Sequence, residues 1–145
     1  MRDLKNNIAI VHLLDPQDTA DTDTVSLILD TKGFGSAVLA VNVGAITGLD
    51  ASNYLTPVLQ DSDTTTGTDF APVNAAYIQG GFTRIDAAAE DQTTQSVGYT
   101  GSKRYLRVNL DFTGTAITAA LESVVGVLGR PVVAPAVAPA AITAA

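Results

Sequence analysis

The chain has 145 residues, the usual size of one domain, and it contains no cysteine, which excludes a disulfide framework, thiolate metal sites and cysteine nucleophiles. Its formal net charge of -7 disfavours nucleic acid and anionic membranes as partners, because phosphate binding depends on clustered Lys and Arg. Hydrophobic residues make up 46% of the chain but aromatic residues only 6%, so we expect an aliphatic core of the kind that a two-layer sandwich buries.

The N-terminal segment, MRDLKNN at residues 1–7, has no apolar periodicity, and we expect it to form an arm. It is charged and does not lead into a signal-type apolar segment, and no run of eighteen apolar residues occurs in the chain. We therefore expect a soluble protein that is made in a cytoplasm and has no membrane partner.

Three strands are predicted in the first third of the chain. Ile8–Leu14 is a short apolar run rich in β-branched residues, and Asp15–Thr24 follows it with turn-forming Pro, Asp and Thr residues. Val25–Asp30 alternates between apolar and polar residues and predicts a second strand. Ser36–Val43 is apolar at most positions, which predicts a central strand covered on both faces.

The middle of the chain predicts shorter elements. Tyr54–Gln60 forms a strand that Pro57 places at an edge or a bulge, and the polar loop 61–69 closes a hairpin to residues 70–73. One helical turn is predicted at Asn74–Ile78, and a brief strand at Phe82–Ile85.

The stretch Val97–Phe112, VGYTGSKRYLRVNLDF, predicts a hairpin of two strands joined by a tight turn at Thr100–Lys103. In its second strand the apolar residues alternate strictly with polar ones, so one face of the strand must meet a second layer. The predicted core residues of the hairpin are Val97, Tyr99, Leu106, Val108, Leu110 and Phe112.

Ile117–Leu128 fits either a strand or a helix of about three turns, and we favour the strand because Gly and Val residues disfavour a helix. Residues 131–145, with Pro131, Pro135 and Pro139, carry no charged side chain and are expected to form an extended Pro/Ala-rich tail. The sequence thus predicts an all-β, jelly-roll-like antiparallel sandwich of about eight strands at residues 8–130, between an arm and a tail.

No group of residues has the composition of a catalytic, cofactor or metal site, and we predict that the protein is not an enzyme. His12 is the only histidine and lies in an apolar strand, and Glu90 and Asp91 are adjacent, so their side chains are expected to point apart. Two acidic stretches could hold a cation in principle, but neither has the spacing of a known calcium loop. Their residues are Asp15, Asp18, Asp21 and Asp23, and Asp61, Asp63 and Asp69.

Gly98, Tyr99, Gly101, Lys103, Arg104, Tyr105, Arg107 and Val108 form the string GY-x-G-x-KRY-x-RV. With the opening MRDLKNNIAIVHLL and the stretch TPVLQDSD, this string resembles a family of small virion proteins of tailed bacteriophages that are similar to capsid cement, or decoration, proteins. The resemblance covers Arg2 to about Gly129 and implies a jelly-roll sandwich on the outer shell of the virion. It implies that the partner is the major capsid protein and that the protein is a homo-dimer or homo-trimer.

The candidate partner contacts are the three cations near the predicted turn, Lys103, Arg104 and Arg107, and the three prolines of the tail. We expect at least one end of the chain to become ordered only in the assembly, as an arm across a neighbouring subunit. Two alternatives remain open. The protein could be another virion component, for head completion or in the tail, or a β-sandwich module that binds carbohydrate or a host surface.

Overall fold

Two antiparallel β-sheets pack face to face in the computed structural model, which describes residues 3–145. The strands are β1 (Ile8–Asp18), β2 (Thr24–Val25), β3 (Leu29–Asp30), β4 (Phe34–Thr47), β5 (Tyr54–Ser62), β6 (Ala71–Pro72), β7 (Ile78–Gly80), β8 (Thr94–Tyr99), β9 (Tyr105–Thr113) and β10 (Ala119–Pro131). Single 3₁₀ turns lie at Gly67–Asp69 and Ala75–Tyr77, the second where a helical turn was predicted.

The sheet order confirms the predicted all-β, antiparallel sandwich and its jelly-roll character. The first sheet has the order β1-β10-β4-β8-β7; the second has the order β2-β9-β5-β6, with β3 also paired to β9. The chain therefore crosses between the sheets after β1, β3, β4, β6, β8 and β9, which is the connectivity of a jelly roll. About eight strands were expected and ten are found, because β2 and β3 are two short pieces along one edge of β9 and β7 is an added edge strand.

The core lies between the sheets and is aliphatic. Each long strand contributes alternate side chains to it, among them Leu39 and Val41 of β4 and Leu106 and Leu110 of β9, all fully buried. Gly126 of β10 also faces inward, and a Cβ there would lie 2.8 Å from Cδ2 of Leu29. The missing side chain at Gly126 is what allows a leucine of the second sheet to pack directly onto the first.

The prediction of a hairpin at Val97–Phe112 is wrong. Its two halves are strands, but β8 belongs to the first sheet and β9 to the second, so the segment Thr100–Arg104 joins the sheets across one end of the sandwich. Val97, Leu106, Val108 and Leu110 are buried, and Tyr99 and Phe112 are partly buried against the core. The alternation of apolar and polar residues correctly predicted which side chains of each strand point inward. It does not distinguish a hairpin within one sheet from a crossing between two sheets.

Two other strand predictions are corrected. β4 is central, between β10 and β8, but only one of its faces is covered, and Val38 and Asn42 lie on the open face. The predicted strand Val25–Asp30 is interrupted, because Ser26 and Ile28 point inward beside Leu29 and break the alternation.

Residues 82–85 do not form a strand and contribute a single bridge, between Ile85 and Leu55. The edge strand instead lies at β7, just before Gly80-Gly81. Residues 119–131 form the long strand β10, so the preference for a strand over a helix in Ile117–Leu128 was justified. β10 lies between β1 and β4 and is the second strand from the edge of its sheet.

The C-terminal segment lies on its own domain, although its sequence lacks the apolar periodicity of a packed element. The backbone N–H of Ala136 donates to Asn6 O, and Ile142 and Ile28 exchange two backbone hydrogen bonds of 2.8 and 3.0 Å. At the end of the segment, Ala145 bonds to Thr65 and Gly67. Backbone pairing needs no apolar periodicity in the side chains, which is why the sequence pattern missed it. The predicted arm of residues 1–7 lies partly outside the described residues.

Candidate functional site

The residues considered for catalysis are dispersed. His12 lies on the open face of β1 and pairs with Asp15 over 2.9 Å, with both side chains largely exposed. Glu90 accepts a hydrogen bond from the backbone N–H of Asp86, whereas Asp91 accepts one from Ile46 N. Their side chains thus engage different segments, and within residues 3–145 no three His, Asp or Glu side chains are grouped as a metal site requires.

The carboxylates of the acidic loops accept hydrogen bonds from within their own turns and from distant strands. Asp18 accepts hydrogen bonds from the backbone N–H groups of Ala20 and Ala120, and Asp23 accepts one from Phe112 N. Asp69 accepts one from the hydroxyl of Thr64 within the loop between β5 and β6. Asp18 and Asp69 thus stabilise their own turns, and Asp18 and Asp23 also tie the first acidic loop to the strands β10 and β9.

Lys103 is held by a small network at the crossing between β8 and β9. Its ammonium group lies 3.0 Å from Oδ1 of the buried Asp61, and the Tyr99 hydroxyl donates to Oδ2 of the same carboxylate over 2.9 Å. The backbone N–H of Lys103 in turn donates to the Tyr99 oxygen. Burial, together with the bond to Asp61, raises the pKa of Tyr99 to about 12, so this phenol stays protonated and keeps donating.

The two arginines near this crossing are also engaged within the chain. Arg104 forms a bidentate pair with Asp30 of β3, at 2.7 and 2.8 Å, and this bond lowers the pKa of the Asp30 carboxyl. Arg107 donates to Gln60 and to Gly67 O, and its guanidinium lies 4.2 Å from the centre of the Phe70 ring. The three cations therefore tie strands and loops together, and their contact with a partner stays a prediction.

Sequence reasoning missed a buried carboxyl, Glu122 on β10, because its strand was read only for apolar residues. Glu122 is 2% exposed; its Oε2 accepts a hydrogen bond from the Thr19 hydroxyl, and its Oε1 is buried without a partner. Burial raises the pKa of Glu122 to about 7, and the nearby charge of Asp18 acts in the same direction. A single Glu in an otherwise aliphatic strand was the signal that could have drawn attention to it.

The C-terminal segment carries the most exposed large apolar side chains on the described part of the chain. Val132, Val133 and Val137 are 81%, 76% and 78% exposed, and we call these three residues the valine surface. The backbone N–H of Val132 donates to Gly33 O, which fixes the surface beside the turn that precedes β4. Pro135 is exposed between the valines, whereas Pro131 and Pro139 are half-buried. No charged side chain follows Arg130, so the surface is uncharged in an acidic protein.

An apolar groove of about 270 Å³ opens between β5 and β7, on the side of the sandwich away from β1. Pro57, Leu59, Val73, Ile78 and Phe82 are among its lining residues. Phe82 is the single aromatic residue in that lining, and no charged side chain contributes to it.

No helix among residues 3–145 is long and apolar enough to cross a membrane. No protein-family model and no curated protein matches the chain. Among solved structures, the chain is similar to one from a study describing Bacillus endospore appendages as a novel family of disulfide-linked pili. The two share 14% sequence identity with a TM-score of 0.46, over 90% of this chain and 97% of the other.

Proposed function

We propose that the protein is a structural component of a tailed-phage virion, a cement or decoration protein that binds the outer surface of the major capsid protein shell and stabilises it. It acts there without cofactor or chemistry. The proposal rests on the resemblance of the GY-x-G-x-KRY-x-RV string and on the valine surface, which is the observation that carries it.

The valine surface supports docking because apolar side chains in contact with water have an unfavourable free energy, which a partner that covers them would remove. Each fully buried valine contributes roughly 1.5 kcal/mol or more through removal of apolar area from water, and three adjacent valines offer this on one small area. Isolated exposed apolar residues are ordinary, but a cluster with no intervening charge is typical of an interaction site. Because the segment is held by backbone bonds on both sides of the cluster, docking it costs little further ordering.

The experiment is co-sedimentation of the purified protein with capsid shells that lack it, measured over a range of protein concentrations. We expect saturation at a fixed number of copies per capsomer. A variant with Val132→Ser, Val133→Ser and Val137→Ser should bind at least about tenfold more weakly, because it loses the apolar contact.

Val25→Ser is the matched control, since Val25 is also exposed but lies on β2, away from the C-terminal segment. The control should bind as the unaltered protein does. Binding without saturation, or equal binding by the triple variant, would contradict docking through the valine surface.

A module that binds carbohydrate or a host surface is the second candidate class, and the apolar groove is its best location. Sugar sites combine aromatic faces with convergent polar groups, and the groove offers Phe82 alone among apolar residues. The observations therefore favour the virion role. Retention of the protein on a glycan array, with loss of retention in Phe82→Ala, would reverse that preference.

A further inference from the structure

We propose that the valine surface forms part of a recognition cleft for an acidic, apolar segment of the partner protein. One apolar side chain of that segment enters the cleft, and a carboxylate beside it pairs with Lys32 or Arg130. This inference rests on the proposed docking role and names the chemistry of the segment that docks.

The three valines line a cleft rather than a flat area. Its volume is about 250 Å³, and Phe34, Pro131 and Pro135 contribute to its walls. Phe34 pairs with Pro131 across the sheet and packs against the core, so this part of the wall is fixed. Small-molecule sites measure about 300 to 1,000 Å³, so the cleft is smaller than such a site. It suits a single apolar side chain of a partner segment.

Lys32 and Arg130 flank the cleft, since each directly precedes a residue that lines it. Both side chains are exposed, and neither forms an ion pair within residues 3–145. The nearby cations Lys103 and Arg104, in contrast, are each paired with an aspartate. The charges of Lys32 and Arg130 are therefore available to a carboxylate of a partner.

The backbone places the Arg130 side chain beside the cleft. Arg130 has a φ of 54°, a conformation that residues other than glycine rarely adopt and that is concentrated at functional sites. A Cβ at Gly35 would lie 3.3 Å from Cβ and 3.8 Å from Nε of Arg130. The bare backbone of Gly35 thus gives the arginine the room to lie against β4, one residue after Phe34.

The distribution of charge over the molecule favours an acidic partner at this end of the sandwich, where β4 begins and β10 ends. Six of the eight basic residues of the chain lie at this end: Lys5, Lys32, Lys103, Arg104, Arg107 and Arg130. They outnumber the acidic residues of the same end, which are Asp3, Asp30, Asp61, Asp63 and Asp69.

The opposite end carries the other ten of the fifteen acidic residues, and Arg84 is its single Lys or Arg among residues 3–145. An acidic partner is repelled there, because like charges oppose association. The cleft end is where such a partner can approach, and Lys32 and Arg130 give it two unpaired cations beside an apolar cleft.

NMR titration of the isolated, isotope-labelled protein with matched peptides tests the proposal without any shell. The probes are acetyl-Gly-Asp-Leu-Asp-Gly-amide and the same peptide with Ser or with Lys in place of both Asp residues. At low salt we expect the Asp probe to bind at least about fivefold more tightly than the Lys probe, and about 0.5 M salt should remove most of the difference by screening. The shifted backbone amides should be those of Phe34, Val132 and Val133.

Lys32→Gln and Arg130→Gln, singly and together, should reduce the preference for the Asp probe and leave binding of the Ser probe unchanged, because the apolar cleft stays intact. Lys32 is exposed, so its variant keeps the test informative if Arg130→Gln destabilises the chain. Arg84→Gln is the matched control, since it removes the same charge at the opposite end of the sandwich, and it should change nothing at the cleft.

Equal binding of the Asp and Lys probes would overturn the proposal, and so would a preference that survives in the double variant. Shifts at the cleft amides that grow with protein concentration alone, and that the Asp probe does not displace, would assign the cleft to a second copy instead. Binding of the Asp probe by a protein that does not sediment with shells would support the cleft and contradict the virion role. Shell binding by a protein that does not distinguish the probes would do the reverse.

Discussion

At the scale of single residues, Glu122 is an ionisable side chain buried in an aliphatic core, where its charged form is unfavourable. A carboxylate with one oxygen buried and unpartnered loses most of its hydration, and one hydrogen bond from Thr19 compensates only in part. Burial therefore raises the pKa of the Glu122 carboxyl to about 7, so it stays protonated to a higher pH than an exposed glutamate does. Folding is thus coupled to proton uptake at this site.

We predict that stability falls as pH rises between about 4.5 and 7. The folded state retains the Glu122 proton up to about pH 7, whereas the unfolded chain releases it near 4.5. The favourable contribution is therefore complete below pH 4.5 and lost as pH rises through 7, and it amounts to about 3 kcal/mol. Urea unfolding at a series of pH values measures it, and Glu122→Gln should flatten the dependence and raise stability at pH 8.

Glu90→Gln is the matched control for this prediction, because it is the same chemical change at the other glutamate of the chain, which is exposed. It should leave the pH dependence of unfolding between 4.5 and 7 essentially as it is. A Glu122→Gln variant with the same slope as the unaltered protein would assign the dependence to other groups.

Strict alternation made the inward residues of β9 predictable from the sequence, because a strand with period two has one possible inward phase. Leu106, Val108 and Leu110 lie in that phase and are fully buried. The partners of Lys103, Arg104 and Arg107 were not predictable, since Asp30, Asp61 and Gln60 lie more than 40 residues away in sequence. Glu122 is a different case, because a single Glu in an aliphatic strand could have been noticed in the sequence, whereas its partner Thr19 could not.

At the scale of elements, the segment Val97–Phe112 shows what alternation leaves undetermined. A Gly-containing turn between two alternating strands fits a hairpin within one sheet and equally a crossing between two sheets. The choice is made by long-range pairing: β8 hydrogen bonds to β4 and β7, and β9 to β5 and the pieces β2 and β3. β4 was predicted to be central, but its open face was missed because that face is itself apolar at Val38 and Ala40.

We predict that Leu110→Ala costs about 2 to 5 kcal/mol of folding free energy, because it removes a fully buried side chain from the core between the sheets. The neighbouring change Asp111→Ala, on the outer face of β9, should cost less than about 1 kcal/mol. Chemical denaturation of the isolated protein measures both. Equal losses at the two positions would mean that the outer face of β9 is covered as fully as the inner one.

At the scale of the whole molecule, the C-terminal segment divides into two parts with different surroundings. Residues 131–137 carry the valine surface, and of their side chains Pro131 and Ala136 are half-buried while the three valines lie in solvent. Residues 138–145 contribute Ala141 to the core and pair Ile142 with the fully buried Ile28. The first part has the properties of a docking surface, and the second those of a strap that completes the sandwich. The sequence showed one uniform Pro/Ala-rich segment, so this division could be found only from its contacts.

The division predicts two separable truncation effects. Ending the chain after Val137 removes the strap, exposes Ile28 and should lower stability by about 1 to 3 kcal/mol, the value of burying one large aliphatic side chain. Ending it after Arg130 removes the valine surface as well, and the further loss of stability should be limited to the contacts of Pro131 and Ala136, because the three valines are already exposed. Shell occupancy should follow the opposite order: largely retained after Val137 at a temperature where the protein stays folded, and lost after Arg130. Thermal melts and shell co-sedimentation of the two truncated chains, compared with the full chain, measure the two effects side by side.

If both truncations melt like the full chain, the strap is not part of the folded domain. If shell occupancy survives removal of residues 131–145, the valine surface has no part in docking.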